Sequence, residues 1–128
     1  MNSKVIATDS AQADEWKFIA KVSELPKGDI GTAKHPGGRL DLAIYQVDGE
    51  IYVTSDRCTH GAASLSDEGE LDGYQVECAW HNGRFDVRTG QALTMPCRAP
   101  LPYFDVKVVG DDIYINPRPK RFKQQKIP

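Results

Sequence analysis

Two short segments contain the residue types that bind metals most readily. Cys58-Thr-His60 is followed, after seventeen residues, by Cys78-Ala-Trp-His81. Each segment supplies one thiolate and one imidazole, and both zinc and iron–sulfur clusters accept such a set of ligands. Each segment also interrupts the strand-like pattern around it, as a loop does. We therefore predict one metal centre, held by two loops at the tip of a β-scaffold.

Which ligand types occur together in each segment distinguishes a zinc site from an iron–sulfur cluster. A structural Cys2His2 zinc site usually takes its cysteines as one C-x2–4-C pair and its histidines as one H-x3–5-H pair. Here the pairs are mixed, C-x-H and C-x2-H. Mixed pairs favour a two-iron cluster with unlike ends, both thiolates on one iron and both imidazoles on the other. A structural zinc module is the less favoured alternative.

The sequence around these ligands resembles a known family. Cys-Thr-His-Gly at 58–61, Cys-Ala-Trp-His-Asn-Gly-Arg-Phe-Asp at 78–86 and Val-Arg-Thr-Gly at 87–90 are similar to the two cluster-binding loops of Rieske [2Fe–2S] ferredoxins. The similarity is greatest to the ferredoxins of bacterial aromatic-ring-hydroxylating dioxygenase systems, of the naphthalene, biphenyl and carbazole types. It extends from about Trp16 to Asn116.

The resemblance implies a cofactor and a role. It implies one [2Fe–2S] cluster per chain, with Cys58 and Cys78 on the inner iron and His60 and His81 on the outer iron. The role is that of a one-electron carrier and not of an enzyme. Electrons would come from an NAD(P)H-dependent flavoprotein ferredoxin reductase and pass to the terminal Rieske oxygenase of the dioxygenase system. The alternative is a Rieske-like small subunit of another oxidoreductase, of the nitrite reductase type, which often lacks the ligands that are intact here.

Four positions near the ligands distinguish this chain from the high-potential Rieske proteins of quinol-oxidising complexes. In those relatives two cysteines form a disulfide between the loops, and the matching positions here are Ala63 and Trp80. A Ser and a Tyr there donate hydrogen bonds to cluster sulfurs, and the matching positions here are Gly83 and Phe85. Fewer donors to the sulfurs lower the reduction potential, so we predict a value near the bottom of the Rieske range, roughly −150 mV.

The rest of the chain predicts an all-β fold. Apolar runs at Leu40–Val47 and Ile51–Thr54 flank an Asp48-Gly49 turn, which is typical of a hairpin. Tyr74–Glu77, Tyr103–Val109 and Ile113–Ile115 read as further strands, and no stretch has a helical period. Short antiparallel strands predict a sandwich or a small barrel. The resemblance specifies an antiparallel β-sandwich with a small cluster-binding subdomain, the Rieske fold.

The ends of the chain differ from its middle in composition. We expect a flexible leader at 1–15, a Rieske domain at 16–116 and a basic tail at 117–128. The tail is predicted to be solvated and frayed, with a docking strip for an acidic partner as the alternative. The acidic segment 67–72 is predicted to be a solvated loop. The alternative is that its charge steers a basic partner toward the metal centre. Cys97 is expected to be a small buried residue near the cluster.

Composition excludes several classes of protein. The 128 residues carry a net charge of −2, which gives no attraction to nucleic acid. Two of the three cysteines are assigned to the metal, so no disulfide is left to form within the chain, which suits a reducing compartment. No signal peptide or membrane-spanning segment is recognisable. We expect a monomeric cytoplasmic protein without a nucleic-acid or membrane partner.

Overall fold

The computed structural model describes residues 15–26, 28–38, 40–58, 64–78, 83–94 and 99–123. Most of the regular structure in these ranges is β-strand. The strands are β1 (Lys17–Lys21), β2 (Gly31–Lys34), β3 (Asp41–Val47), β4 (Glu50–Ser55), β5 (Glu70–Asp72), β6 (Gln75–Glu77), β7 (Arg84–Asp86), β8 (Tyr103–Phe104), β9 (Val106–Val109) and β10 (Asp112–Ile115). A 3-10 turn at Val22–Glu24 and the one-turn helix α1 (Leu65–Glu68) complete them. No helix among the described residues has the length and apolar character needed to cross a bilayer.

The strands form three antiparallel sheets. One has the order β1-β10-β9, the second β2-β3-β4-β8 and the third β5-β6-β7. The third sheet is the small subdomain, because it lies in the chain between the two segments that contain the predicted ligands and continues just beyond the second. The predicted all-β fold, a sandwich with a small added subdomain, is confirmed.

The middle sheet is buried on both faces. Successive residues of β3 alternate between two separate cores, because side chains along a strand point to opposite faces. Leu42 and Ile44 pack with Ile113 and other residues of the first sheet. Ala43 and Tyr45 pack in the second core, which also contains Cys58 and Cys78. This double burial explains why the sequence of β3 is a continuous apolar run.

The predicted hairpin between β3 and β4 is present. Val47 pairs with Glu50, which leaves Asp48 and Gly49 as a two-residue loop. Both loop residues have positive φ, 53° and 81°, as a type I′ turn requires. The hairpin fixes the register of β4, whose far end leads directly into the first predicted ligand segment.

The prediction of one strand over Tyr103–Val109 is wrong. The chain changes sheets at Asp105: Phe104 pairs with Val53 of β4, whereas Val106 pairs with Ile115 of β10. The amide of Asn116 donates to the carbonyl of Asp105 at 3.1 Å. The continuous apolar pattern conceals this change, because both halves are strand and only their partners differ.

The prediction of a frayed tail is wrong for residues 117–123. Lys120 and Tyr103 exchange two backbone hydrogen bonds of 2.7 and 2.9 Å. Nε2 of His35 donates to the carbonyl of Pro117 at 2.8 Å. The side chains at 118–121 are exposed, so this part of the tail is solvated but paired to β8. Residues 124–128 and the leader up to 14 lie outside the described residues.

Candidate metal centre

The first predicted ligand segment follows the end of β4. Asp56 comes directly after the strand, and its amide donates to the carbonyl of Asp41 at 3.0 Å, at the start of β3. Cys58, two residues further, is 1% exposed. The β3–β4 hairpin therefore brings the Cys58 thiol into the second core. His60 and Ala63 lie outside the described residues.

The two ends of this segment are held together by Asp56. Its carboxylate accepts from the Ser64 hydroxyl at 2.6 Å, from the Ser66 amide at 2.6 Å and from the Ser66 hydroxyl at 3.0 Å. Its carbonyl accepts from the Leu65 amide at 2.7 Å. Arg57 and Ser64 form an isolated β-bridge at the same point. Asp56 therefore links the two described ends of the segment 57–63.

The second segment is the connection of a hairpin. Glu77 at the end of β6 pairs with Arg84 at the start of β7. The amide of Cys78 donates to the carbonyl of Gly83 at 2.8 Å, which continues the ladder by one step. Residues 79–82, which include Trp80 and His81, lie outside the described residues, but the residues on either side of them are fixed by the hairpin.

The two thiols share one core. Cys58 and Cys78 are each 1% exposed and belong to the same group of packed residues, with Leu65, Val76 and Phe85. Two cysteines from separate loops that meet in an apolar, water-poor core suit the thiolate end of an iron–sulfur cluster. The donor set that the structure describes thus fits the predicted group at its inner iron.

The acidic segment 67–72 is not a loop, and that prediction is wrong. Its residues form part of α1 and of β5. Arg84 in β7 lies across the small sheet and pairs with Asp72 at 3.2 Å and with Glu77 at 2.8 Å. Part of the acidic charge is therefore compensated by a basic residue beside the second loop. Asp67 and Glu70 remain exposed.

A third connection adjoins the site after β7. The chain turns at 87–90 and returns alongside β7. There the Leu93 amide donates to the Arg84 carbonyl at 2.8 Å, and the Arg84 amide donates to the Thr94 hydroxyl at 2.9 Å. A proline-bearing stretch, which contains Pro96 and Pro100, follows. Its residues 95–98, which include Cys97, lie outside the described residues. It ends at Leu101, whose amide donates to the carbonyl of Gly90 at 2.7 Å.

Comparison with known proteins agrees with this geometry. Residues 15–105 match the Rieske [2Fe-2S] domain family. The chain belongs to the Rieske [2Fe–2S] family. The ferredoxin component of the p-cumate 2,3-dioxygenase system of Pseudomonas putida is 49% identical over 98 residues, which are 77% of this chain and 82% of that protein. The ferredoxin component of the naphthalene 1,2-dioxygenase system of Pseudomonas aeruginosa is 42% identical over 103 residues, 80% of this chain and 96% of that protein.

A solved structure extends the likeness to three dimensions. One chain in the complex of reduced oxygenase and oxidized ferredoxin in carbazole 1,9a-dioxygenase superposes with a TM-score of 0.73 at 40% identity. The match covers 83% of this chain and 96% of that one. The relatives are named as ferredoxin components. This Rieske protein is accordingly an electron-transfer component with a [2Fe–2S] cluster, and not itself an enzyme.

The two positions without a hydroxyl lie in the core of this Rieske protein. Phe85 is 0% exposed and packs in the core that contains both thiols. Gly83 is buried, and its carbonyl is engaged by Cys78. Neither side chain has a polar hydrogen to donate. The sequence-based expectation of two missing donors near the cluster is consistent with these placements.

Two titratable groups near the ligand loops are shifted by their surroundings. Burial raises the pKa of Tyr45 far above its ordinary value; its hydrogen bond with Thr54, at 2.8 Å, opposes that rise, and the charge of Asp56 adds to it. The phenol therefore stays neutral in the core that also contains the two thiols. Burial alone would raise the pKa of Asp86, but hydrogen bonds from the side chain and amide of Arg88 outweigh the effect of burial and hold that pKa below its ordinary value.

Sequence reasoning missed the group that closes the first loop. Asp56, Ser64 and Ser66 flank the ligands and contain no metal-binding pattern of their own. One signal was available: Ser64-Leu-Ser-Asp67 has the form of a helix capping motif. The Ser64 hydroxyl does accept from the Asp67 amide, at 3.2 Å, at the start of α1. The contribution of Asp56 is visible only in three dimensions.

Proposed function

We propose that this Rieske protein passes single electrons from an NAD(P)H-dependent flavoprotein ferredoxin reductase to the terminal Rieske oxygenase of an aromatic-ring dioxygenase system. The observation that carries the proposal is the burial of Cys58 and Cys78 in one core, at the bases of two neighbouring loops. The names of the relatives support it, because they are ferredoxin components of cumate and naphthalene dioxygenase systems. The solved complex of a related ferredoxin with an oxygenase supports the oxygenase as partner.

We further propose the ligands of the cluster. Cys58 and Cys78 bind one iron as thiolates, and His60 and His81 bind the other through one ring nitrogen each. A bound metal removes the thiol proton outright, so burial of the two cysteines does not hinder ligation. The C-x-H and C-x2-H spacings support the assignment of the histidines. When it is bound, the cluster supplies a one-electron oxidation and reduction.

The chain's own residues define the environment of that electron. Leu65, Val76 and Phe85 enclose the thiol end and keep water from it. Tyr45 in the same core remains neutral, and its hydroxyl is engaged by Thr54. An apolar surrounding, with no hydroxyl at positions 83 and 85, disfavours the more negative reduced state. The reduction potential that we propose is therefore low, roughly −150 mV, near the bottom of the Rieske range.

We also propose that the protein is a monomer and that it is located in the cytoplasm. A single chain holds all four proposed ligands, which supports function as a monomer. Dependence on NAD(P)H and the lack of a cysteine pair for bracing the loops support a cytoplasmic location. Neither the charge of −2 nor the fold favours a nucleic-acid partner.

Reconstitution tests the proposed function. The protein is added to a ferredoxin reductase, NAD(P)H and a terminal oxygenase of the cumate or naphthalene type, and oxidation of the nicotinamide coupled to product is measured. We expect turnover that depends on this protein and rises with its concentration. The Cys58→Ala variant should give none. Turnover that is equal with and without the protein, for every oxygenase tried, would reject the role as carrier.

A further inference from the structure

The two ligand loops are closed in different ways. The second loop connects paired strands, and its ends are held by the backbone ladder and by the ion pair between Glu77 and Arg84. The first loop follows β4 and returns to the one-turn helix α1, and among the described residues its backbone ends are joined by the isolated Arg57–Ser64 bridge. A single bridge gives little control over a loop of seven residues. The first loop therefore depends on another constraint.

The carboxylate of Asp56 supplies that constraint. It is 7% exposed and lies at the point where the loop begins. Its two oxygens receive three hydrogen bonds of 2.6 to 3.0 Å from Ser64 and Ser66, at the point where the loop ends. Buried carboxylates with several short donors are held firmly, because leaving any donor unsatisfied is costly. These hydrogen bonds join residues that are eight and ten positions apart, and Cys58 and His60 lie between them in the sequence.

Ser64 links this contact to the helix that follows. Its hydroxyl donates to Asp56 and accepts from the Asp67 amide, so the same side chain closes the loop and caps α1. Leu65, the first residue of α1, is 0% exposed and packs against the core that contains both thiols. The base of the loop is thus anchored to the core on one side and to β4 on the other.

We propose that Asp56 is the positioning residue of the first ligand loop: its hydrogen bonds to Ser64 and Ser66 hold the two ends of the loop in the arrangement that the cluster requires. The proposal rests on the proposed assignment of Cys58 and His60 as ligands. Groups that orient metal ligands without touching the metal typically change its retention by about 10- to 100-fold. Asp56 acts in this way, and for retention of the cluster the geometry of its hydrogen bonds matters more than its negative charge.

Three variants separate shape from charge. Asp56→Asn keeps an oxygen for the Ser66 amide, and its amide group can donate to serine hydroxyls that rotate to accept. Asp56→Ala removes every one of these contacts. Asp67→Ala is the matched control, because it removes an exposed carboxylate from the adjacent helix. If Asp56→Ala does not accumulate as folded protein, the double variant Ser64→Ala with Ser66→Ala takes its place.

The test is the rate at which loaded protein loses its cluster to a chelator, measured by the decay of visible absorbance. We expect loss about 10-fold faster for Asp56→Ala, or for the double serine variant, and rates within about twofold of the parent protein for Asp56→Asn and Asp67→Ala. The reduced Asp56→Ala protein should also give an altered electron paramagnetic resonance spectrum, whereas Asp56→Asn should keep the parent spectrum. A merely structural role would lower the unfolding temperature without altering that spectrum.

The outcomes distinguish this proposal from the one it rests on. If the parent protein binds no iron–sulfur cluster, the proposed ligands are wrong and the positioning role falls with them. If the parent protein is loaded and Asp56→Ala loses its cluster at the parent rate, with an unchanged spectrum, only the positioning role is rejected. If Asp56→Asn and Asp56→Ala accelerated cluster loss equally, the shape of the Asp56 hydrogen bonds would be rejected as the cause of cluster retention.

Discussion

Gly90 lies directly against the backbone of Leu101. A Cβ atom added at Gly90 would stand 2.0 Å from the carbonyl oxygen of Leu101, and the Leu101 amide donates to the Gly90 carbonyl at 2.7 Å. The φ of Gly90 is +75°, a conformation that residues with a side chain rarely adopt. This contact joins the turn after β7 to the end of the proline-bearing stretch.

Replacing Gly90 by Ala should therefore destabilise the protein strongly. The left-handed conformation alone costs about 1–2 kcal/mol, and the clash with a backbone atom adds to that cost because backbone cannot rotate away. We expect a loss of more than about 2 kcal/mol in the free energy of unfolding. Chemical denaturation measures it. The control is Gly38→Ala, where φ is +78° but nothing lies within 4 Å, and its loss should stay near the conformational cost alone. Equal losses in the two variants would contradict the close contact.

The reduction potential should respond to hydroxyl groups near the thiols. Gly83→Ser and Phe85→Tyr place donors at two buried positions of the core and loop that contain Cys58 and Cys78. Hydrogen bonds to cluster sulfurs stabilise the reduced state, so each variant should raise the potential by on the order of tens of millivolts, within a Rieske range of roughly 450 mV. Protein-film voltammetry measures the shift. Tyr45→Phe is the control, since its hydroxyl is already engaged by Thr54. A parent potential well above zero would contradict the low-potential assignment.

The Asp86–Arg88 pair should contribute stability that disappears in acid. Arg88 holds the pKa of Asp86 below its ordinary value, so the contribution is present above the ordinary carboxyl pKa of about 4 and is lost as the pH falls through the lowered pKa. Arg88→Gln should raise that pKa and should destabilise the protein more at about pH 7 than at about pH 2.5. Carboxyl chemical shifts report the pKa, and denaturation at both pH values reports the stability.

Arg88 also stacks over the ring of Tyr74, 4.1 Å from its centroid, and loss of that contact does not depend on the protonation of Asp86. Only the pH-dependent part of the stability lost in Arg88→Gln therefore comes from the ion pair. Lys34→Gln removes the partner of Asp41 in an exposed pair and should have little effect at either pH. An Asp86 pKa that is unchanged in Arg88→Gln would refute the assigned cause.

The tail should stabilise β8 through its backbone and not through its charge. Deleting residues 119–128 removes the two hydrogen bonds between Lys120 and Tyr103, and we expect a loss of about 2 kcal/mol. Lys120→Ala removes an exposed ion pair with Asp105 and a cation–π contact with the ring of Tyr103, and it should change stability by less than about 1 kcal/mol. Thermal unfolding compares the two. A larger effect from Lys120→Ala than from the deletion would show that charge dominates.

The sequence was sufficient for the family and the fold class, because both depend on short-range signals. Cys58 and Cys78 are recognisable by their spacing from histidines, and the β3–β4 hairpin by Asp48-Gly49 with an apolar run on each side. The family and its cofactor follow from the same residues.

The features that the sequence did not reveal depend on contacts between distant residues. The change of sheet at Asp105 leaves no mark in an apolar pattern that is strand on both sides. The pairing of Lys120 with Tyr103 is made by backbone atoms, which any residue provides, so a basic tail looked frayed. Asp56 is an ordinary polar residue until Ser64 and Ser66 are brought to it by the closing of the loop.

The most direct test of the central assignment is the coordination of the reduced cluster. Purified protein is analysed for iron and acid-labile sulfide, and the reduced form is examined by pulsed electron paramagnetic resonance for coupling to nitrogen. We predict two irons and two sulfides per chain, with two coordinating nitrogens that are reduced to one in the His60→Cys or His81→Cys variant. A cluster without nitrogen coupling, or a colourless protein that contains zinc, would contradict the assignment of Cys58, His60, Cys78 and His81.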